Sequence, residues 1–229
     1  MCKNRKPYLR ILLGLGFSFL YFVGAAQTDL RSRTGIKLKT EPVKDIEFVM
    51  NIQQRFDNKL STFDKFILEP GIAYDLSKSF KTGAEYRFSI SQNQRHIRES
   101  RHRFSGFIRY KKEIDDFDLR VKTVLQYGFD DESSAFLDYR NKLYSRNSVS
   151  LSYNIFGSKL TPKAEYEFFY HINNPNGGII NAWRITTSVD YELSKNKTLA
   201  FYYMYDKEFN VASPVNANIF GVELEIELF

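Results

Sequence analysis

From Ile46 to Asp57 the chain reads IEFVMNIQQRFD, and its apolar and polar side chains alternate almost without a break. Ile46, Phe48, Met50, Ile52 and Phe56 fall on one side; Glu47, Asn51, Gln53, Arg55 and Asp57 fall on the other. A period of two places residues on opposite faces of an extended strand and smears them around a helix, so this pattern excludes an amphipathic helix. It recurs near residues 30–40, 46–57, 63–76, 80–91, 101–111, 117–129, 142–155, 160–171, 182–193, 198–209 and 217–228. Most of these segments are about twice the length of a soluble strand and match a tilted membrane-crossing strand of roughly 9–11 residues. The connections alternate too. DLSKS, KKEIDD, FGSK and SKNK are short, whereas SQNQRHIRES, DDESSAFLDYRN, HINNPNGGIIN and DKEFNVASPVN are long. Short turns on one rim and long loops on the other are the layout of an outer-membrane barrel.

The expected fold is therefore all-β: a transmembrane antiparallel up-and-down barrel of about 10 to 12 strands. A barrel that places long loops on one rim and the C-terminus on the other needs an even count, so eleven segments imply either ten wall strands or a hidden twelfth in Asp130–Asn141. Pairing of the first segment with the last favours twelve. Alternation by itself also suits a soluble secreted sandwich with its apolar face inward. Aromatics at the ends of the apolar faces, among them Phe80, Phe117, Phe129, Tyr170, Trp183 and Tyr205, favour the membrane, where such rings form girdles at the two interfaces.

Charge has to be located before it is interpreted. The formal charge is +6, yet four of the 33 basic residues and none of the 27 acidic ones fall within residues 1–26. There a basic stretch, MCKNRKPYLR, precedes the uncharged run ILLGLGFSFLYFV and the small residues GAA. That order predicts a secretory signal peptide over 1–26 and a single barrel domain over 27–229; the run is too short to span a bilayer as a helix. The barrel domain itself carries about +2, which removes the argument for nucleic acid as a partner. Cys2, the sole cysteine, leaves with the signal, so no disulfide or thiol chemistry is expected. The expected partners are outer-membrane lipid and, during biogenesis, periplasmic chaperones and the barrel-assembly machinery.

Two inward-facing charge sets stand out. Glu223, Glu225 and Glu227 alternate through the ending GVELEIELF, and Arg31, Arg33, Lys37 and Lys39 lie on the polar face of DLRSRTGIKLKT. Side by side at barrel closure, opposite charges would each contribute about 0.2–1 kcal/mol and fix the register. The second set is Glu165 and Glu167, flanked by Lys142 and Arg146 on one side and Arg184 on the other. It reads either as a selectivity ring for small solutes or as a salt-bridged filling of a narrow barrel.

Catalysis has thin support. A lipid-modifying barrel enzyme, acyl hydrolase or transferase, would need a nucleophilic serine beside a histidine. His96, His102 and His171 are the histidines, near the loop rim, and Ser89 and Ser91 are the imaginable partners. No motif marks them, and HIRESRH is not a metal-ligand spacing. No catalytic, cofactor or metal site is expected; the lipid-modifying enzyme stands as the alternative to a pore, a structural barrel or a surface-binding barrel.

The stretches Arg55-Phe56, GAEYRF (83–88), RHRFSGFIRYKKEI (101–114), YRNKLYSRNSVSLSY (139–153), LTPKAEYEFFY (160–170) and NKTLAFYYMYDKE (196–208) carry a resemblance. The chain resembles domain of unknown function 2490, a family of Gram-negative outer-membrane proteins. The resemblance implies a barrel without an assigned activity and supplies no catalytic residues. One departure is the ending: the apolar register stops at Leu228, and Phe229 falls on the glutamates' side.

Overall fold

A computed structural model describes residues 28–57, 62–92, 98–130, 142–211 and 214–228. The signal segment, His96, Phe229 and nearly all of the stretch proposed for a twelfth strand lie outside the described residues.

The described chain forms eleven strands: β1 (Thr28–Val43), β2 (Ile46–Asp57), β3 (Thr62–Asp75), β4 (Phe80–Gln92), β5 (Arg98–Ile114), β6 (Phe117–Asp130), β7 (Lys142–Tyr153), β8 (Leu160–His171), β9 (Ile179–Ser194), β10 (Lys197–Glu208) and β11 (Asn216–Leu228). Each pairs antiparallel with the next, and β1 closes the cylinder on β11. The segments read from alternation all reappear, most of them within a few residues of their expected bounds.

The even count does not hold. Eleven strands form the wall, and β1 runs parallel to β11 from Thr28↔Asn216 to Thr40↔Leu228. An odd number of alternating strands leaves its two end strands pointing the same way, so closure requires one parallel seam. An even count is needed only where the first and last strands close antiparallel, and here they do not. Thr28 therefore lies at the loop-side rim and Leu228 at the turn-side rim.

The tight turns show why the turn side is compact. Lys44–Asp45, Asp115–Asp116 and Lys195–Asn196 each join two strands with two residues. Asp45 (φ 65°) and Asp115 (φ 51°) take the left-handed conformation, which aspartate tolerates better than most side chains.

The wet face is the inner one. Phe104, Ile108, Leu125, Phe201 and Phe220 are 51–57% exposed on the outside, whereas Glu69 and Glu167 are 5% exposed inside. A soluble sandwich would have the reverse, so the apolar-out arrangement is that of a membrane barrel. Rings cluster at both ends of this belt. Phe80 with Tyr110 (5.0 Å) and Phe117 with Tyr153 (4.9 Å) mark the turn side. His102 with Phe129 (5.1 Å) and Trp183 with Tyr205 (5.4 Å) mark the loop side.

The interior is not uniformly polar. Ile67, Val124, Met204 and Ile219 point inward and are at most 9% exposed. Two inward rings lie across glycines of neighbouring strands: a Cβ on Gly83 would sit 2.7 Å from the Phe107 ring, and one on Gly221 would sit 2.0 Å from the Tyr202 ring. Each glycine is the space its neighbour's ring occupies.

Candidate functional site

The inward face of each strand supplies charges at alternate positions, and register decides which of them meet. On β8, Glu167 stands opposite Arg184 of β9, and Arg184 stands opposite Asp206 of β10. The result is a chain of ion pairs across four strands: Arg146 Nη2 donates to Glu167 Oε1 at 2.7 Å, Arg184 Nη1 to Glu167 Oε2 at 3.2 Å, and Arg184 Nη2 to Asp206 Oδ2 at 2.6 Å. Arg146 also donates through Nε to the same Oε1 at 3.0 Å. Both guanidinium groups lie over the Phe169 ring, each 5.0 Å from its centroid. Stacked on a ring and fixed by carboxylates, these arginines are held as planar donors.

A second set on β3, β4 and β5 repeats the logic. Glu69 accepts from Arg87 in a two-pronged contact, with Nη2 at 3.0 Å and Nε closer, and from Arg103 Nη2 at 3.3 Å. Arg87 and Arg103 stand opposite each other across β4 and β5. One buried carboxylate therefore serves two cations.

Of the sequence-expected cluster, Arg146, Glu167 and Arg184 come together. Glu165 does not join them: it lies 3.5 Å from Lys163, two residues away on its own strand. Its place is taken by Asp206, which alternation alone could not single out because the β9–β10 register is needed. Glu69, Arg87 and Arg103 were also missed as a set for that reason.

At the seam, Lys37 stands opposite Glu225 and contacts it at 3.0 Å, and Lys39 contacts the same carboxylate. Glu225 thus serves both lysines. Glu227 stands opposite Lys39 and Glu223 opposite Gly35, but neither carboxylate makes an ion pair among the described residues. Arg31 turns back to Asp29 at 2.8 Å. Arg33 stands opposite Gly221; its Nη1 lies 3.4 Å from Met204 Sδ, with no carboxylate partner among the described residues.

The serine–histidine pairing that the alternative enzyme reading requires is not formed among the described residues. His102 is on the outer face, hydrogen-bonded through Nδ1 to the Tyr86 hydroxyl at 2.6 Å and stacked on Phe129. His171 is on the inner face, stacked on Tyr144 at 4.5 Å with Nδ1 3.2 Å from Asn174 Nδ2. Ser89 and Ser91 are buried on β4 and hydrogen-bond to neither ring. Among the described residues no group of histidine, cysteine and carboxylate side chains is placed to hold a metal ion.

Three adjoining cavities run along the lumen. One of about 820 Å³ reaches the turn side at Ser158, Lys159 and Lys195. One of about 420 Å³ lies between Glu47, Glu69, Glu85 and Lys122 at mid-height. The third, about 330 Å³, lies on the loop side beneath Arg101, Lys142 and Tyr144. Arg55, Arg87, Arg103 and Phe169 line both the first and the third, so the arginines stand where the two meet.

A family profile described as a protein of unknown function (DUF2490) matches residues 32–217. The chain belongs to this family. The match runs from within β1 to within β11, so it takes in nearly the whole barrel of this DUF2490 protein. No curated protein matches it. Among solved structures, the β-domain of the Bordetella autotransporter Brka is similar in outline: the TM-score is 0.40 at 10% identity, covering 72% of this chain and 78% of that chain.

Proposed function

We propose that this DUF2490 barrel resides in the Gram-negative outer membrane and acts as a narrow pore, with the loop side outward and lipid against its apolar belt. The observation that carries the reading is the set of adjoining cavities, about 820, 420 and 330 Å³, inside a wall of eleven strands. About eight strands leave an interior that side chains fill, and 16–18 leave a wide aqueous channel, so eleven lies between. Ion pairs and the inward rings narrow that space without filling it. Delivery would run through signal-directed export, periplasmic chaperones and the barrel-assembly machinery.

Two measurements test this. Heat-modifiable migration on a detergent gel, after extraction from an outer-membrane fraction, is expected; release as a soluble periplasmic protein would overturn the membrane assignment. Purified protein in planar bilayers is expected to give small, steady conductance steps. A correctly folded protein that gives none would overturn the pore and leave a structural or surface-binding barrel.

A further inference from the structure

The loop-side cavity has a wall rich in cations. Arg55, Lys65, Arg87, Arg101, Arg103 and Lys142 line it, and no carboxylate among the described residues does. Lys65 and Arg101 each touch an acid on their own strand, Asp64 at 3.3 Å and Glu99 at 3.3 Å, so the cations without such a partner lie deeper, at the cavity's base. Beneath it, Arg33 and Arg55 stand directly opposite each other across β1 and β2. Arg55 donates through Nε to Gln53 Oε1 at 2.6 Å and has no carboxylate partner among the described residues. Arg33 has the Met204 sulfur in place of one. The Nε atoms of Arg103 and Arg184 are buried without a hydrogen-bond acceptor among the described residues.

Each of these facts costs stability. Like charges directly across a strand pair repel, and donors without acceptors in a confined space lose their hydration. Elsewhere in the lumen opposed cations have a carboxylate between them: Lys111 and Arg120, opposite each other across β5 and β6, both reach Asp118, at 3.6 and 3.8 Å. Here the barrel accumulates guanidinium groups, whose planar forks match the oxygens of an oxyanion with two parallel hydrogen bonds. The cavity's 330 Å³ has room for a small solute.

We infer that the loop-side vestibule and the arginines at its base, Arg33, Arg55, Arg87 and Arg103, form a binding site for a phosphate-type oxyanion, inorganic phosphate or the phosphate of a small ester. This deepens the pore reading and rests on its view of the lumen as water-accessible: the site would collect anions at the outer mouth and pass them to the turn-side cavity. The chemistry it recognises is the tetrahedral, multiply charged oxyanion rather than negative charge alone.

The test is calorimetric titration of the folded, detergent-solubilised barrel with inorganic phosphate, at constant ionic strength set by chloride. Saturable binding is expected, at least tenfold weaker in Arg55→Gln and weakened in Arg33→Lys, which keeps the charge but removes the fork. Lys44→Gln, in an exposed turn, removes the same charge far from the vestibule and should leave binding unchanged. Heat-modifiability on a gel verifies that each variant is folded, so Arg33→Lys carries the test if Arg55→Gln does not assemble. Phosphate binding no tighter than chloride, or equal effects of Arg55→Gln and Lys44→Gln, would overturn the site. Displacement of inorganic phosphate by a phosphate-bearing lipid that copurifies with the barrel would also overturn it as a solute site. Titration does not depend on conduction: binding without conductance supports the site and sinks the pore, whereas conductance without binding sinks the site alone.

Discussion

The two ends of the lumen are built from the same ingredients in different proportions. On the turn side, Lys81 meets Glu47 (3.3 Å) and Asp75 (3.1 Å), Lys111 meets Glu113 (2.6 Å) and Asp118 (3.6 Å), and Glu225 takes both seam lysines. With Arg120, which also reaches Asp118 at 3.8 Å, five cations here face five carboxylates. Toward the loop side, Arg87, Arg103, Arg146 and Arg184 share three carboxylates, Glu69, Glu167 and Asp206, while Arg33 and Arg55 contact none among the described residues. Neutralised charge holds a narrow barrel in shape; charge left over is available to a solute. The difference also explains the residue types. A flexible ammonium suffices to close a seam, whereas a fork fixed on an aromatic ring can present two donors in one plane.

Several measurements can break this contrast. The largest effect is expected at Glu167, because Glu167→Gln removes the carboxylate between Arg146 and Arg184. Loss of one partner in a buried ionic set costs about 3–5 kcal/mol, and water in the lumen places the expected loss near the lower end. Urea unfolding of the refolded barrel reads it, and a loss below about 1 kcal/mol would show that the loop-side arginines do not depend on their few carboxylates.

Next comes packing. Gly221→Ala sets a methyl group against the Tyr202 ring beside Arg33, and overpacking of this kind costs about 1–3 kcal/mol. The same unfolding assay should give a smaller deficit when Gly221→Ala is combined with Tyr202→Ser, which vacates the space. No such recovery would mean that the ring does not need the glycine.

The seam should be mildest. Lys37, Lys39 and Glu225 are 21–28% exposed, so solvent screens them, and an opposed pair of charges contributes about 0.2–1 kcal/mol. Glu225→Lys should lower stability modestly, and adding Lys37→Glu should restore part of it. Equal loss in the single and double variants would contradict the parallel register at closure.

How far the sequence carried these conclusions depends on the range of each interaction. Strand identity is local: alternation within Ile46–Asp57 or Phe80–Gln92 needs no partner to be read, and both strands form at those positions. Closure is not local. Nothing within β1 or β11 announces that they run parallel, and the even count rested on an antiparallel habit. Partner choice within the lumen lies between the two. Alternation placed Glu165 and Glu167 inward together, but only the β8–β9 register gives Arg184 to Glu167, leaving Glu165 with Lys163. The inward Ile67, Val124, Met204 and Ile219 escape a binary pattern altogether, because a narrow lumen packs partly against itself. The arginine surplus was legible in principle, since Arg33, Arg55, Arg87, Arg103 and Arg184 all occupy polar faces of alternating strands. It became a feature once the pairing of Arg33 with Arg55 put them at one level.

Reversal potential in a planar bilayer under a potassium chloride gradient tests the unequal lumen most directly. A vestibule with six cations and no carboxylate on its described wall predicts steady anion-selective current, with selectivity reduced in Arg55→Gln and unchanged in Lys44→Gln. A folded barrel that passes no current, or one whose reversal potential shows cation preference, would contradict the account.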